Sequence, residues 1–137
     1  MSKQFPNCCV YGLVDPRDGL YHYIGSTICL GNRLMQHVTF DCWSDHTIEY
    51  CRWRMELEIE GRQPQLVILC AARPDTVRRH ERTYIRCALE AGHPLVNQQS
   101  RPTATHGEKE RLLLEYKQLR ANLGLDKIEK AVRRRNR

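Results

Sequence analysis

Apolar residues recur at two different periods along this chain, and each change of period marks a new element. Two short apolar and aromatic runs, "CCVYGLV" (8–14) and "LYHYIG" (20–25), flank the connection "DPRDG". Proline and Asp-Gly are turn chemistry, so the runs predict an antiparallel hairpin. Side chains alternate across a strand. Cys9, Tyr11 and Leu13 are therefore expected on one face of the first strand, and Tyr21, Tyr23 and Gly25 on one face of the second, with His22 opposite. The period then lengthens. In "LGNRLMQHVTF" Leu30, Leu34 and Val38 form a helical stripe, while Arg33 and His37 fall one turn apart on another face. Ser44 suits the N-cap of a second helix running toward Gly61, with Ile48, Cys51, Met55 and Ile59 inward. "QLVILCAA" reads as a buried strand by its length and composition. Pro74 and Asp75 open a third helix, carrying Glu81 and ended by Gly92 and Pro94. Beyond "GHPLVNQQSR", Thr105 and Glu108 have capping-box spacing for a last long helix. Its residues Leu112, Leu113, Tyr116, Leu119 and Leu123 can dock on the body, and Gly124 interrupts it.

The resulting order is β-β-α-α-β-α, an extended stretch, and α. This predicts an α+β fold: a small central three-stranded sheet, antiparallel or mixed, flanked by helices, with a C-terminal helix and a basic tail. The expected division is a domain over 1–100 and a helical extension with its tail over 101–137. A chain of 137 residues is long enough for one unstapled core. Its composition, 41% apolar and 28% charged, excludes wholesale disorder. No apolar run has the length of a membrane span, and the opening "MSKQFPN" lacks a signal peptide's apolar stretch. No membrane partner is expected, and the protein is expected inside the cell, in cytoplasm or nucleus. Seven cysteines, an odd number with no C-x-x-C pair, read as reduced thiols rather than as a disulfide set or a zinc site.

The net charge of +6 is concentrated at one end. Lys127, Lys130, Arg133, Arg134, Arg135 and Arg137 face a single acid, Glu129, whereas the rest of the chain is almost balanced. Such a run suits a phosphate backbone, because lysine and arginine release counterions from a polyanion; the same run also suits a solvated terminus. Glu56 and Glu60 could pair as metal ligands, but with Glu58 they alternate with apolar residues as a solvated helix flank does.

Taken together, the motifs have a family likeness. Tyr23-Ile24-Gly25 spells the second motif of the GIY-YIG nuclease superfamily, and Cys9-Val10-Tyr11 stands where its first motif has Gly-Ile-Tyr. Arg33 and His37 in "RLMQH" occupy the positions of its arginine and histidine, Glu81 that of its metal-binding glutamate, and Asn97 that of its late asparagine. Over residues 8 to 98 the chain therefore resembles that superfamily, in consistent order. It departs in the Cys-Val of the first motif and in Gly12, which is expected to loosen the strand locally.

The resemblance implies a metal-dependent DNA endonuclease, leaving 5′-phosphate and 3′-hydroxyl ends with Mg²⁺ or Mn²⁺ at Glu81. Arg33 would fork onto the phosphate, Tyr11 would be the general base, and Tyr23 would orient water or phosphate. His37 would take or pass the proton, and Asn97 would fix the loop or contact DNA. The chemistry suits these types: hydrolysis of a phosphodiester requires a base, positive charge at phosphorus and a stabilised leaving oxygen. A phenol near pKa 10 needs the field of Arg33 and the metal to ionise. Low sequence specificity is expected on duplex, branched or single-stranded DNA, because no finger or second domain follows residue 98. Alternatives are a binding protein that keeps the scaffold without turnover, a site-specific restriction or homing enzyme, and an interaction module on the last helix.

Overall fold

The computed structural model describes residues 7–38, 47–96 and 104–124, with the backbone alone for 35–38. The elements are β1 (Cys9–Val14), β2 (Tyr21–Thr27), α1 (Leu30–Val38), α2 (Ile48–Ile59), β3 (Gln65–Ala71), α3 (Val77–Glu90) and α4 (His106–Asn122). The sheet has the order β2-β1-β3, and both pairings are antiparallel. This is the expected α+β class with the sheet flanked by helices.

Only β1 is central, and it is buried almost throughout, which explains why "CVYGLV" is apolar at successive positions. On one face Tyr11 and Leu13 pack with Tyr50, Trp53, Met55 and Leu57 of α2, and Leu112 of α4 joins the same cluster. On the other, Val10 and Ile24 pack with Val77, Ile85 and Ala88 of α3. The strand expected to be buried, β3, is instead an edge strand with Ile68 54% exposed. A three-stranded sheet has two edges, and composition does not distinguish them from the centre.

The face of α2 is also wider than its expected stripe. Tyr50, Cys51, Trp53, Arg54, Met55 and Leu57 are all buried, because the helix lies between the sheet and α4. Its N-cap is Thr47, whose hydroxyl accepts from the Tyr50 N–H; Ser44, the cap expected, lies outside the described residues. The Thr105/Glu108 capping box forms as expected, and α4 ends before Gly124, which has φ +71°. α4 docks through the buried Leu112 and the half-buried Tyr116, whereas Leu119 and Leu123 are exposed.

The hairpin departs from simple alternation. Leu13 pairs with Tyr23 and Val14 with Tyr21, so His22 is an extra residue in a bulge. The bulge turns Tyr21 away from Tyr23, against the expectation that they share a face. Tyr21 packs on the α3 side, its ring edge-on to His93 at 5.4 Å, while His22 stacks on Trp53 of α2 at 5.3 Å. Gly12 does not loosen β1. The Tyr21 ring lies over it, and a Cβ there would stand 2.5 Å from that ring.

Candidate active site

Gly25 of β2 faces Tyr11 of β1 across the hairpin. A Cβ on Gly25 would lie 2.8 Å from the Tyr11 hydroxyl oxygen and 2.8 Å from the Tyr23 ring. The glycine therefore makes the space in which two tyrosines meet. Their rings lie 6.0 Å apart at 28°, and the two hydroxyls are hydrogen-bonded to each other. Behind them Tyr50 meets Tyr23 edge-on at 5.1 Å and accepts a hydrogen bond from the buried Arg54.

Tyr23 reaches the wall of an open cleft of about 560 Å³, lined also by Ser26, Arg33, Arg78, Glu81 and Arg82. The cleft lies beside β2, which is an edge of the sheet, between α1 and α3. Tyr11 is wholly buried behind Tyr23 and does not reach the wall. Burial pushes the Tyr11 phenol above its ordinary value, and the neighbouring Tyr23 adds to the shift; Arg33 opposes it without overcoming it. Burial also raises Tyr23, but there the hydrogen bond with Tyr11 and the charge of Arg33 pull the other way.

Glu81 projects from α3 to β2, where Ser26 donates to it from both its backbone N–H and its hydroxyl. Burial lifts its pKa above the usual carboxylate value, against the pull of Ser26, Arg78 and Arg33. With Arg33 from α1, the cleft brings three guanidiniums to one carboxylate. Such an arrangement can bind a polyanion while presenting one oxygen ligand to a hard cation.

Tyr23, Arg33 and Glu81 are thus brought together, and Tyr11 stands directly behind them. His37 follows one turn after Arg33 on α1, where the backbone alone is described. Asn97 and the basic residues Lys127, Lys130, Arg133, Arg134, Arg135 and Arg137 lie outside the described residues. The sequence reading missed Ser26, Arg78 and Arg82. Their signal was positional: Ser26 follows the second motif directly, and Arg78 and Arg82 flank Glu81 on its own helix.

A second charged cluster lies at the hairpin turn. Asp15, Asp18 and His22 carry ligand-type atoms within 4.8 Å of one another. Asp15 is already saturated, however. Its Oδ1 accepts from the Arg17 N–H at 2.8 Å, and its Oδ2 from Arg17 Nη2 at 2.8 Å and Trp53 Nε1 at 2.8 Å. Arg17 continues to Glu56 and Glu60, both at 3.2 Å, so this pair of glutamates holds the turn to α2. The cluster is a structural latch.

Among the described residues no helix is long and apolar enough to cross a membrane. The chain matches no protein-family model, no curated protein and no solved structure.

Proposed function

We propose that the chain is a divalent-metal-dependent endonuclease of GIY-YIG type, acting on DNA with low sequence specificity. The observation that carries this reading is the convergence on one cleft of Tyr23 from the hairpin, Arg33 from α1 and Glu81 from α3. These residues come from three separate elements and were selected by motif order, not by proximity.

The site residues fit Mg²⁺ or Mn²⁺. Such ions accept one or two carboxylates, with water and substrate phosphate oxygens filling the shell, and Ser26 orients the carboxylate of Glu81, the one among the described residues that line the cleft. When bound at Glu81, the ion supplies electrophilic stabilisation of charge on the phosphate and the leaving oxygen. The rest is done by the chain. Arg33 forks onto the non-bridging phosphate oxygens. The Tyr23 oxygen, as a phenolate whose own proton has already left to solvent, takes the proton of the attacking water and becomes a phenol, and Tyr11, donating to that same oxygen, steadies the phenolate before the transfer. His37 passes the proton toward solvent. The new P–O bond forms as the P–O3′ bond breaks, giving a 5′-phosphate and, once protonated, a 3′-hydroxyl. This exchanges the roles first expected of the tyrosines, because Tyr23 is the one on the cleft wall.

A reducing, intracellular setting belongs to this reading. The test is the purified chain with Mg²⁺ or Mn²⁺ on labelled single-stranded, duplex, nicked, flapped and four-way DNA, and on matching RNA. Metal-dependent cutting of at least one DNA substrate, with 5′-phosphate ends, is the expected result. Binding without cutting under every metal condition would instead favour a scaffold without turnover.

A further inference from the structure

Several arginines of this protein are already engaged by carboxylates. Arg17 holds Asp15, Glu56 and Glu60; Arg52 reaches Glu115 at 3.5 Å, and Arg73 reaches Asp75 at 3.5 Å. Arg78 and Arg82 differ. Both are exposed and line the cleft, and neither is ion-paired with a described residue. Arg78 acts on Glu81 only through its field.

One scissile phosphodiester carries a single negative charge, and Arg33 already answers it in the mechanism above. Two further cations exceed that need. The cleft, at about 560 Å³, lies within the range of pockets that enclose drug-sized ligands, so it has room for more than a bare phosphate. Arg78 and Arg82 are four residues apart on α3. They therefore lie on neighbouring turns of one helix face, near enough for both guanidiniums to reach a single phosphate.

We propose that Arg78 and Arg82 form a second phosphate seat, which holds the phosphate adjacent to the scissile one on the same polynucleotide strand. The proposal rests on the nuclease reading and deepens it. The smallest good substrate then has two consecutive phosphodiesters, and the cleft reads strand continuity rather than base identity. A small aryl phosphodiester would use Arg33 and Glu81 without using the second seat.

The test uses the full chain. Binding of a single-stranded oligonucleotide is measured by anisotropy at several salt concentrations in an E81Q background, alone and with R78Q/R82Q. R86Q, on the same helix but outside the cleft lining, is the control. Each phosphate contact on a single strand contributes about 0.7 to the slope of log K against log salt. The double variant is expected to flatten that slope by roughly 0.7, and R86Q to leave it nearly unchanged. Replacing one phosphate beside the cleavage site with a neutral methylphosphonate, on each side in turn, should weaken wild-type binding on one side and cost R78Q/R82Q nothing more. The loss of cleavage caused by R78Q/R82Q should be larger on an oligonucleotide than on a small aryl phosphodiester. An unchanged slope, or an equal loss in R86Q, overturns the second seat while leaving the nuclease reading in place. A chain that neither binds nor cuts any polynucleotide overturns both.

Discussion

Asp15 and Glu81 are both withdrawn from water and both face arginine, yet their surroundings move them in opposite directions. Burial would raise Asp15, but the hydrogen bonds from Arg17 and Trp53 outweigh it and hold the carboxyl well below the ordinary range. For Glu81 burial wins over Ser26 and the more distant guanidiniums. The difference lies in how many donors are aimed at the oxygens at close range. Asp15 is locked as an anion within a closed network, whereas Glu81 keeps unmet capacity beside an open cleft. Residues of the same types serve the fold in one place and face solvent and ligand in the other.

The largest stability effect that would break this comparison is expected at the latch. D15A leaves the buried Trp53 N–H without its acceptor, while Arg17, 30% exposed, keeps Glu56 and Glu60; an unsatisfied buried donor costs about 1–3 kcal/mol. Urea unfolding should show this loss, while cleavage per folded molecule stays near wild type. A latch variant that kept its stability but lost cleavage would place the chemistry at the turn instead.

The next effect separates the two tyrosines. Y23F removes the hydroxyl facing the cleft and is expected to lower the single-turnover rate by about 10²-fold or more. Y11F removes a supporting donor and should cost about 10-fold, in line with one hydrogen bond to a charged oxygen. Both keep their rings in place. If Y11F is the more severe, the buried phenol is the base and the roles return to those first expected.

A smaller effect follows from pH. Asp15 has a depressed folded pKa, so its contribution is complete above the unfolded value of about 3.9 and is lost as pH falls from there. Wild-type urea midpoints should therefore decline as pH drops from 5 to 3, and D15N should lose part of that dependence. Parallel curves for the two proteins would mean that the carboxylate is not the titrating latch.

Much of the fold was legible because it rests on local signals. The "DPRDG" turn, the helical stripe after Leu30 and the Thr105/Glu108 box each specify structure within a few residues. What was not legible depended on packing. Trp53 accepts the His22 ring and bonds Asp15, and the bulge that presents His22 to it reverses Tyr21; alternation alone put Tyr21 on the wrong face. Whether β3 is central or edge depends on strand order, which "QLVILCAA" does not encode. For the site, Tyr23, Arg33 and Glu81 were found through motif order, since their types carry the chemistry. Arg78 and Arg82 were passed over because a basic residue near a helical glutamate looks like any solvated flank until the cleft is seen. The basic tail from Lys127 is a similar case: charge is visible in sequence, and its partners are not.

The most direct measurement pairs cleavage with stability in E81Q. Because burial raises the folded pKa of Glu81, its ionisation opposes folding above that pKa, so a neutral glutamine at pH 7 should leave the Tm unchanged or slightly higher. The same substitution removes the carboxylate assigned to the metal, and single-turnover cleavage with Mg²⁺ should fall by about 10³-fold or more. A folded E81Q protein with an intact Tm and no detectable cutting is the result expected. A folded E81Q protein that cuts DNA at the wild-type rate would contradict the assignment of this cleft as the active site.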